Sequence, residues 1–210
     1  MKQFNTEKEL AKAVVSWLQE QHWEVWQEVQ FHAYGPINDI YAMFGKISWA
    51  IECKLTLNLK VIEQAYNSRA IIKSIAIPYR NRNSFGEKIC KDYGIGIISV
   101  TSAGSINYNP GRLNRGFYKS SEQIINFLKN VPKEFCEAGS KNGHWTPYKA
   151  TIEQCKSFIR KNSGCSISDI MKHIDHHYNS DSTAKACITK ALKEWETSWC
   201  KFEDKKFYLK

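Results

Sequence analysis

The chain lacks several features that would assign it to a specialised class of protein. Its seven cysteines are scattered and odd in number, and no C-x-x-C pair occurs, which argues against a disulfide framework or a zinc ribbon. No stretch approaches the roughly 20 apolar residues that would span a bilayer. The polar start at residues 1–5 indicates no signal peptide. These absences predict a reduced, cytoplasmic protein that does not enter a membrane.

Positive charge is present in excess, with 30 Lys and Arg against 21 Asp and Glu and a net charge of +9. The excess is +5 before Trp145 and +4 from Trp145 onward, so it is not confined to a tail. Such a balance favours a polyanionic partner, and nucleic acid is the usual one. Many basic proteins never bind DNA, so the charge alone does not decide the partner.

The patterns of apolar residues up to residue 100 follow the order αβββαβαβ, which is typical of an α/β core. Residues 102–116 carry Gly, Ser, Asn and Pro and predict a loop, and a further helix is predicted at 119–130. The composition changes at 132–147, between two prolines, and predicts a linker there. We therefore expect one domain at 1–131 and a second at 148–210, each with its own core.

A two-residue turn at 45–46, which contains a glycine, lies between two strand patterns and predicts a hairpin. With this turn, Phe44 pairs with Ile47 and the numbers of paired residues sum to 91. Asp39 then lies directly opposite Glu52, and their Cβ atoms would be about 5 Å apart on one face of the sheet.

Lys54 shares the face of Glu52 because it is two residues farther along the strand, whereas Cys53 points to the opposite face. Two facing carboxylates repel each other, and a bound dication would turn that repulsion into attraction. An ordinary surface ion network is the alternative explanation. A second E-x-K at 203–205 has neither a preceding strand nor a partner Asp, so the strand context distinguishes Glu52 from it.

The pattern Asp39-x12-Glu52-Cys53-Lys54, between a helix with an early Glu and a helix with a Gln, resembles the PD-(D/E)XK nuclease superfamily. Mrr-type nucleases and archaeal Holliday-junction resolvases share its restriction-endonuclease-like fold, an αβββαβ core with a mixed central sheet. The resemblance covers roughly residues 5–100. It implies that Asp39 and Glu52 bind Mg²⁺ or Mn²⁺, with Cys53 beside them in the metal site, and that Lys54 assists the attacking water.

Two further residues carry over from this resemblance to the catalytic set. Many members have a Glu on the first helix that reaches the metal through water, and Glu7 and Glu9 compete for that role. We prefer Glu7, because Glu9 is the expected capping-box partner of Thr6. Gln64 resembles a helix Gln of several of these nucleases, and a solvated polar residue is the alternative. The residue before Asp39 is asparagine rather than proline, a departure that does not affect the ligands.

The segment 148–210 has three helical patterns followed by a predicted hairpin, and it resembles a winged-helix domain. Its third helix would be the recognition helix, although winged helices also bind proteins. Basic residues after the fourth strand could contact phosphates too. The predicted nucleic-acid contacts are Arg80, Arg82, Lys185, Lys190 and Lys193.

Together these patterns predict a Mg²⁺-dependent deoxyribonuclease with a winged-helix DNA-binding domain. The alternative is a non-catalytic DNA-binding or regulatory protein that retains the nuclease fold. A homodimer would suit double-strand cutting, although no feature of the sequence indicates one.

Overall fold

The computed structural model describes residues 4–31, 35–79, 83–129, 131, 137–138 and 143–210, without the side chains of 118–123. The chain divides into two compact units, Met1–Trp145 and Thr146–Lys210. The first is an α/β unit around a mixed six-stranded sheet, which confirms the predicted class. Within these described ranges, no helix is both long and apolar enough to cross a bilayer.

The first unit alternates helices and strands in nearly the predicted order. Its elements are α1 (Glu7–Glu20), β1 (Glu24–Gln30), β2 (Ile37–Phe44), β3 (Ile47–Cys53), α2 (Leu59–Asn67), β4 (Ile72–Pro78), α3 (Ser84–Asp92), β5 (Gly96–Val100), β6 (Ile106–Asn109), a 3-10 helix (Arg115–Ser120) and α4 (Ser121–Lys129).

The six strands lie side by side in their order along the chain. β1, β2 and β3 form an antiparallel meander, β3, β4 and β5 are parallel, and β6 returns antiparallel to β5. The helices α2 and α3 connect the parallel strands, as parallel pairing requires. β6 corrects the prediction of a loop throughout 102–116.

The β2–β3 hairpin has the predicted register. Phe44 pairs with Ile47 and Ile40 pairs with Ile51, so the paired numbers sum to 91. Gly45 has a φ of +59°, a left-handed conformation that glycine adopts without a steric penalty. The turn therefore fixes which residues of β2 and β3 face each other.

The sheet is covered on both faces. On one face, α1 packs against inward-facing residues of the strands, among them Ile40, Ile51 and Cys53. On the other face, α2 and α3 pack against Ile75 and Ile77 of β4. Burial on both faces explains why β3 and β4 are almost continuously apolar.

The first turn of α1 has the predicted cap with one difference. The Thr6 side chain accepts a hydrogen bond from the Glu9 N–H, as an N-cap residue does. The Glu9 carboxylate accepts from the N–H of Asn5, at 2.8 Å, instead of from that of Thr6. Glu9 is therefore engaged in holding the helix start.

Up to Trp145, the described residues of the segment predicted as a linker at 132–147 belong to the first unit, whereas Thr146 and Pro147 belong to the second. Ala138 is buried in the core beneath α1, and its N–H donates to the Gln27 side chain. Trp145 pairs with Val29 of β1 and exchanges main-chain hydrogen bonds with its neighbours there. The units divide after Trp145, because main-chain pairing ties this residue to the sheet.

The second unit contains α5 (Pro147–Lys161), α6 (Ile167–Met171), α7 (Asp181–Glu194), β7 (Cys200–Glu203) and β8 (Lys206–Leu209). Its core includes Ile159, Ile188 and Phe207. The predicted second helix is shorter than expected, since α6 ends well before His177. The residues that follow are mostly polar and offer a helix little apolar surface, and His177 is hydrogen-bonded to Thr151 on α5.

We expect Phe207→Ala to destabilise the second unit by about 3–5 kcal/mol, because the ring is fully buried and its loss leaves a cavity. Phe202→Ala, on the neighbouring strand of the same hairpin, is the matched control, since Phe202 is 36% exposed. Chemical denaturation of the full chain measures both. Equal losses in the two variants would contradict the assigned core.

Candidate functional site

The site lies where β2 begins and β3 ends, beside the first turn of α1. Asp39 is the third residue of β2, Glu52 is the last but one of β3, and Lys54 follows the end of β3. The main-chain N–H of Lys54 donates to the Ala76 carbonyl of β4 at 3.0 Å, so the parallel ladder also holds this residue. Extending the hairpin register by one residue sets Asp39 opposite Glu52, as predicted from the turn.

Lys54 joins α1 to β2 through its side chain. Its Nζ donates to Glu7 Oε2 at 2.9 Å and to Asp39 Oδ2 at 3.4 Å. Of the two acidic residues that competed for a place in the site, Glu7 is therefore the one beside Lys54, whereas Glu9 caps the helix. The structure brings Glu7, Asp39 and Lys54 into one ion network.

Glu52 is the most unusual side chain of this group. It is only 1% exposed, and neither carboxyl oxygen has a hydrogen-bond partner among the residues that the structure describes. Burial, followed by the neighbouring charge of Asp39, raises the pKa of Glu52 from its ordinary 4.5 to about 9. Glu52 is accordingly protonated at neutral pH unless a cation replaces the proton.

The other two charges of the network are better compensated. Burial raises the pKa of Asp39. The charge of Lys54 and the Cys53 N–H, which donates to Asp39 Oδ2 at 2.8 Å, act in the opposite direction and lower it. Burial alone would lower the pKa of Lys54, but the carboxylates of Asp39, Glu7 and Glu52 outweigh it and raise the pKa. Lys54 is therefore cationic and is suited to orient water or stabilise negative charge rather than to accept a proton.

Cys53 contacts the site through its main chain and not through its thiol. The side chain is 1% exposed and packs in the apolar core under α1. Burial raises the pKa of this thiol well above its ordinary value, which keeps it protonated. A protonated thiol is a poor ligand for magnesium, which prefers oxygen, so the prediction that places Cys53 in the metal site does not hold for its side chain.

Gln64 lies on α2, which covers the face of the sheet that carries Glu52, since Glu52 pairs with Ile75 and Ile75 packs against α2. The Gln64 side chain is partly buried. No hydrogen bond joins it to Asp39, Glu52 or Lys54, so the structure does not bring it into the ion network.

The predicted nucleic-acid contacts fall into two groups. Arg80 and Arg82 lie outside the described residues. Lys185, Lys190 and Lys193 are exposed on α7. Lys185 Nζ donates to Ser168 Oγ at 3.2 Å, whereas Lys190 and Lys193 lie over the rings of Trp195 and Phe202 at 5.8 and 3.9 Å.

Glu28 of β1 is a further acidic residue near the site that the sequence did not reveal. Its charge is close enough to Glu52 to contribute to raising the pKa of Glu52. The strands β1 and β2 are joined by six residues, 31–36, rather than by a two-residue turn. The sequence therefore could not fix the register of β1, and Glu28 could not be aligned with Asp39.

The raised pKa of Glu52 predicts a pH-dependent stability of the metal-free protein. Between the ordinary pKa of 4.5 and about 9, the unfolded chain releases a proton that the folded chain retains. The free energy of unfolding therefore falls as pH rises through this window, by roughly 1 kcal/mol per pH unit. Glu52→Gln should flatten this dependence when unfolding in EDTA is measured at about pH 5.5 and about pH 8. Glu9→Gln is the control, and parallel losses in wild type and Glu52→Gln would contradict the assignment.

Comparison of the chain with models of protein families, with curated proteins and with solved structures finds no match. The likeness to the PD-(D/E)XK nucleases therefore remains a prediction from the sequence. What is established is the arrangement itself, in which a buried Glu52, without a hydrogen-bond partner among the described residues, lies beside a network of Glu7, Asp39 and Lys54.

Proposed function

We propose that the first unit hydrolyses phosphodiester bonds in DNA with the aid of Mg²⁺ or Mn²⁺ held by Asp39 and Glu52. The observation that carries this proposal is the Glu52 carboxyl group, which is buried beside a second acid and has no hydrogen-bond partner for either oxygen in the described part of the chain. A buried polar group without a hydrogen bond costs about 1–3 kcal/mol, and no apolar packing recovers that. A cation that binds both carboxylates would recover it.

The residues present fit a hard divalent cation. Carboxylate oxygens are its preferred ligands, and magnesium is usually held by one or two carboxylates together with water and substrate phosphate. Among the described residues, no group of three or more His, Cys, Asp or Glu could by itself hold a metal ion. Asp39 and Glu52 are the two carboxylates that such a partly hydrated ion needs.

The remaining residues of the site would serve the reaction as follows. A bound cation would stabilise charge on the phosphate and lower the pKa of a water. Lys54, held by Glu7 and Asp39, would orient that water and stabilise the developing negative charge. Gln64 remains a candidate for substrate binding from α2.

DNA as the substrate rests on three supporting features. The chain carries a net charge of +9, spread over both parts of the sequence. The order αβββαβ and the mixed sheet agree with what the resemblance to the nuclease superfamily implies. In the second unit, three helices precede a two-stranded hairpin, as in winged-helix domains, and α7 exposes lysines at the position of a recognition helix.

Cleavage of plasmid and oligonucleotide DNA with Mg²⁺ or Mn²⁺ tests the active site. Asp39→Asn and Lys54→Ala should each lower the rate at least about 100-fold, because the first removes a ligand of the cation and the second removes a positive charge beside the reacting phosphate. Glu7→Gln should lower it about 10-fold through Lys54. The matched control is Glu9→Gln, in the same helical turn, and it should cleave at the wild-type rate.

Undiminished cleavage by both Asp39→Asn and Lys54→Ala would refute the active-site assignment. If wild type cuts no DNA with any divalent metal, the hydrolase proposal fails, and a non-catalytic DNA-binding protein becomes the better explanation.

The salt dependence of DNA binding tests the second unit. Replacing Lys190 and Lys193 by Ala should weaken binding for all sequences and reduce the slope of log K against log salt by about 0.9 for each phosphate that the protein no longer neutralises. Arg160→Ala with Lys161→Ala removes the same charge from the end of α5 and is the control. An equal change of slope in both double variants would show that α7 has no special role.

A further inference from the structure

Three acidic residues lie at the same level on three neighbouring strands. In the β1–β2 ladder, Gln27 pairs with Ile40 and Val29 pairs with Asn38. The position between them on β1 is Glu28, and it falls opposite Asp39. Since the β2–β3 register sets Asp39 opposite Glu52, the acidic row runs across β1, β2 and β3.

Glu28 has a main-chain conformation that a strand residue other than glycine rarely adopts. Its φ is +52°, in the left-handed region, although the register on both sides of it is unchanged. No residue is inserted, so the distortion is not the kind of bulge that shifts a register. Strained residues of this kind concentrate at functional sites, where the surroundings hold them in place.

The surroundings of Glu28 do hold it in place. The N–H of Trp145 donates to the Glu28 carbonyl at 2.8 Å, and the N–H of Gln30 donates to the Trp145 carbonyl at 2.9 Å. Trp145 is 3% exposed, so the residue that makes both hydrogen bonds is itself buried. The main chain at Glu28 is thereby fixed next to the row of acids.

We propose that Glu28 is a positioning residue of the metal site, and that it accepts a hydrogen bond from a water ligand of the divalent cation held by Asp39 and Glu52. This inference rests on the proposed function. A direct ligand role does not fit, because no three acidic, His or Cys side chains converge on one ion among the described residues. A role through water does fit, since magnesium retains several of its waters in proteins.

The charge of Glu28 supports the same assignment. Glu28 presents an acidic side chain one strand away from Asp39, as a group that accepts a hydrogen bond from a water on a cation should. Some carboxylates hydrogen-bond to the ligands of a metal rather than to the metal itself. Replacing such a carboxylate typically weakens metal binding by about 10- to 100-fold. Glu28 would therefore act on the affinity of the ion and, through it, on the reaction.

Mn²⁺ binding to the full chain without DNA, followed by electron paramagnetic resonance, tests the inference independently of cleavage. Glu28→Gln should raise the Kd for Mn²⁺ about 10-fold. The matched control is Glu24→Gln, which removes the same charge from the opposite end of β1 and should leave the Kd unchanged. Asp39→Asn should abolish specific binding, because it removes a ligand.

Glu28→Gly separates a role in the site from a role in the fold. Glycine adopts the left-handed conformation without strain, so this variant should melt about 2 °C higher in EDTA while binding Mn²⁺ as weakly as Glu28→Gln. A lower Tm together with wild-type affinity would assign Glu28 a purely structural role and overturn the inference.

The outcomes distinguish this inference from the proposed function. If Asp39→Asn abolishes Mn²⁺ binding while Glu28→Gln binds within a factor of about 2 of wild type, the metal site stands and the role of Glu28 is refuted. If wild type itself binds no Mn²⁺ or Mg²⁺ specifically, the metal site is refuted and the inference falls with it.

Discussion

The β2–β3 hairpin is the constraint on which the rest of the site depends. Its two-residue turn pairs Phe44 with Ile47, and every later pair follows from that one. A register shifted by one residue would move Asp39 to the face covered by α1, among the apolar side chains of that core. The position of an ionisable group at one end of the hairpin is thus fixed by the conformation of Gly45 at the other end.

The charges gathered by this hairpin are poorly balanced within the protein. Lys54 forms ion pairs with Glu7 and Asp39, while none of the described residues donates a hydrogen bond to the side chain of Glu52. The fold thus retains a destabilising group that an amide or an apolar residue could replace. Such a loss of stability is commonly tolerated where a site needs groups whose protonation or coordination changes during function.

The parts of this arrangement that the sequence predicts are those set by local chemistry. A tight turn fixes the register of its own hairpin, so the facing of Asp39 and Glu52 could be inferred. Thr6 marks the start of α1, and this separated the roles of Glu7 and Glu9. β6 was not predicted because the strand has only four residues, which are mostly polar, and because the turn residue Gly104 lies just before it.

Other features depend on pairings between distant segments and leave no local pattern. The alignment of Glu28 with Asp39 spans a connection whose length does not dictate a register. The pairing of Trp145 with β1 joins residues more than a hundred positions apart. Trp145 itself lies in a segment whose prolines and glycines are typical of a linker. Only the three-dimensional structure brings these partners together.

The two main-chain hydrogen bonds between Trp145 and β1 have a consequence for the synthesis of the protein. The ribosome releases β1 early, but the main-chain partner of Glu28 and Gln30 is the last residue of the first unit to be synthesised. During translation the main-chain groups of Glu28 and Gln30 that pair with Trp145 therefore wait for their partner until residue 145 has left the ribosome. Trp145 can fix the main chain at Glu28 only at that moment, when nearly all of the α/β unit is already available to fold around it.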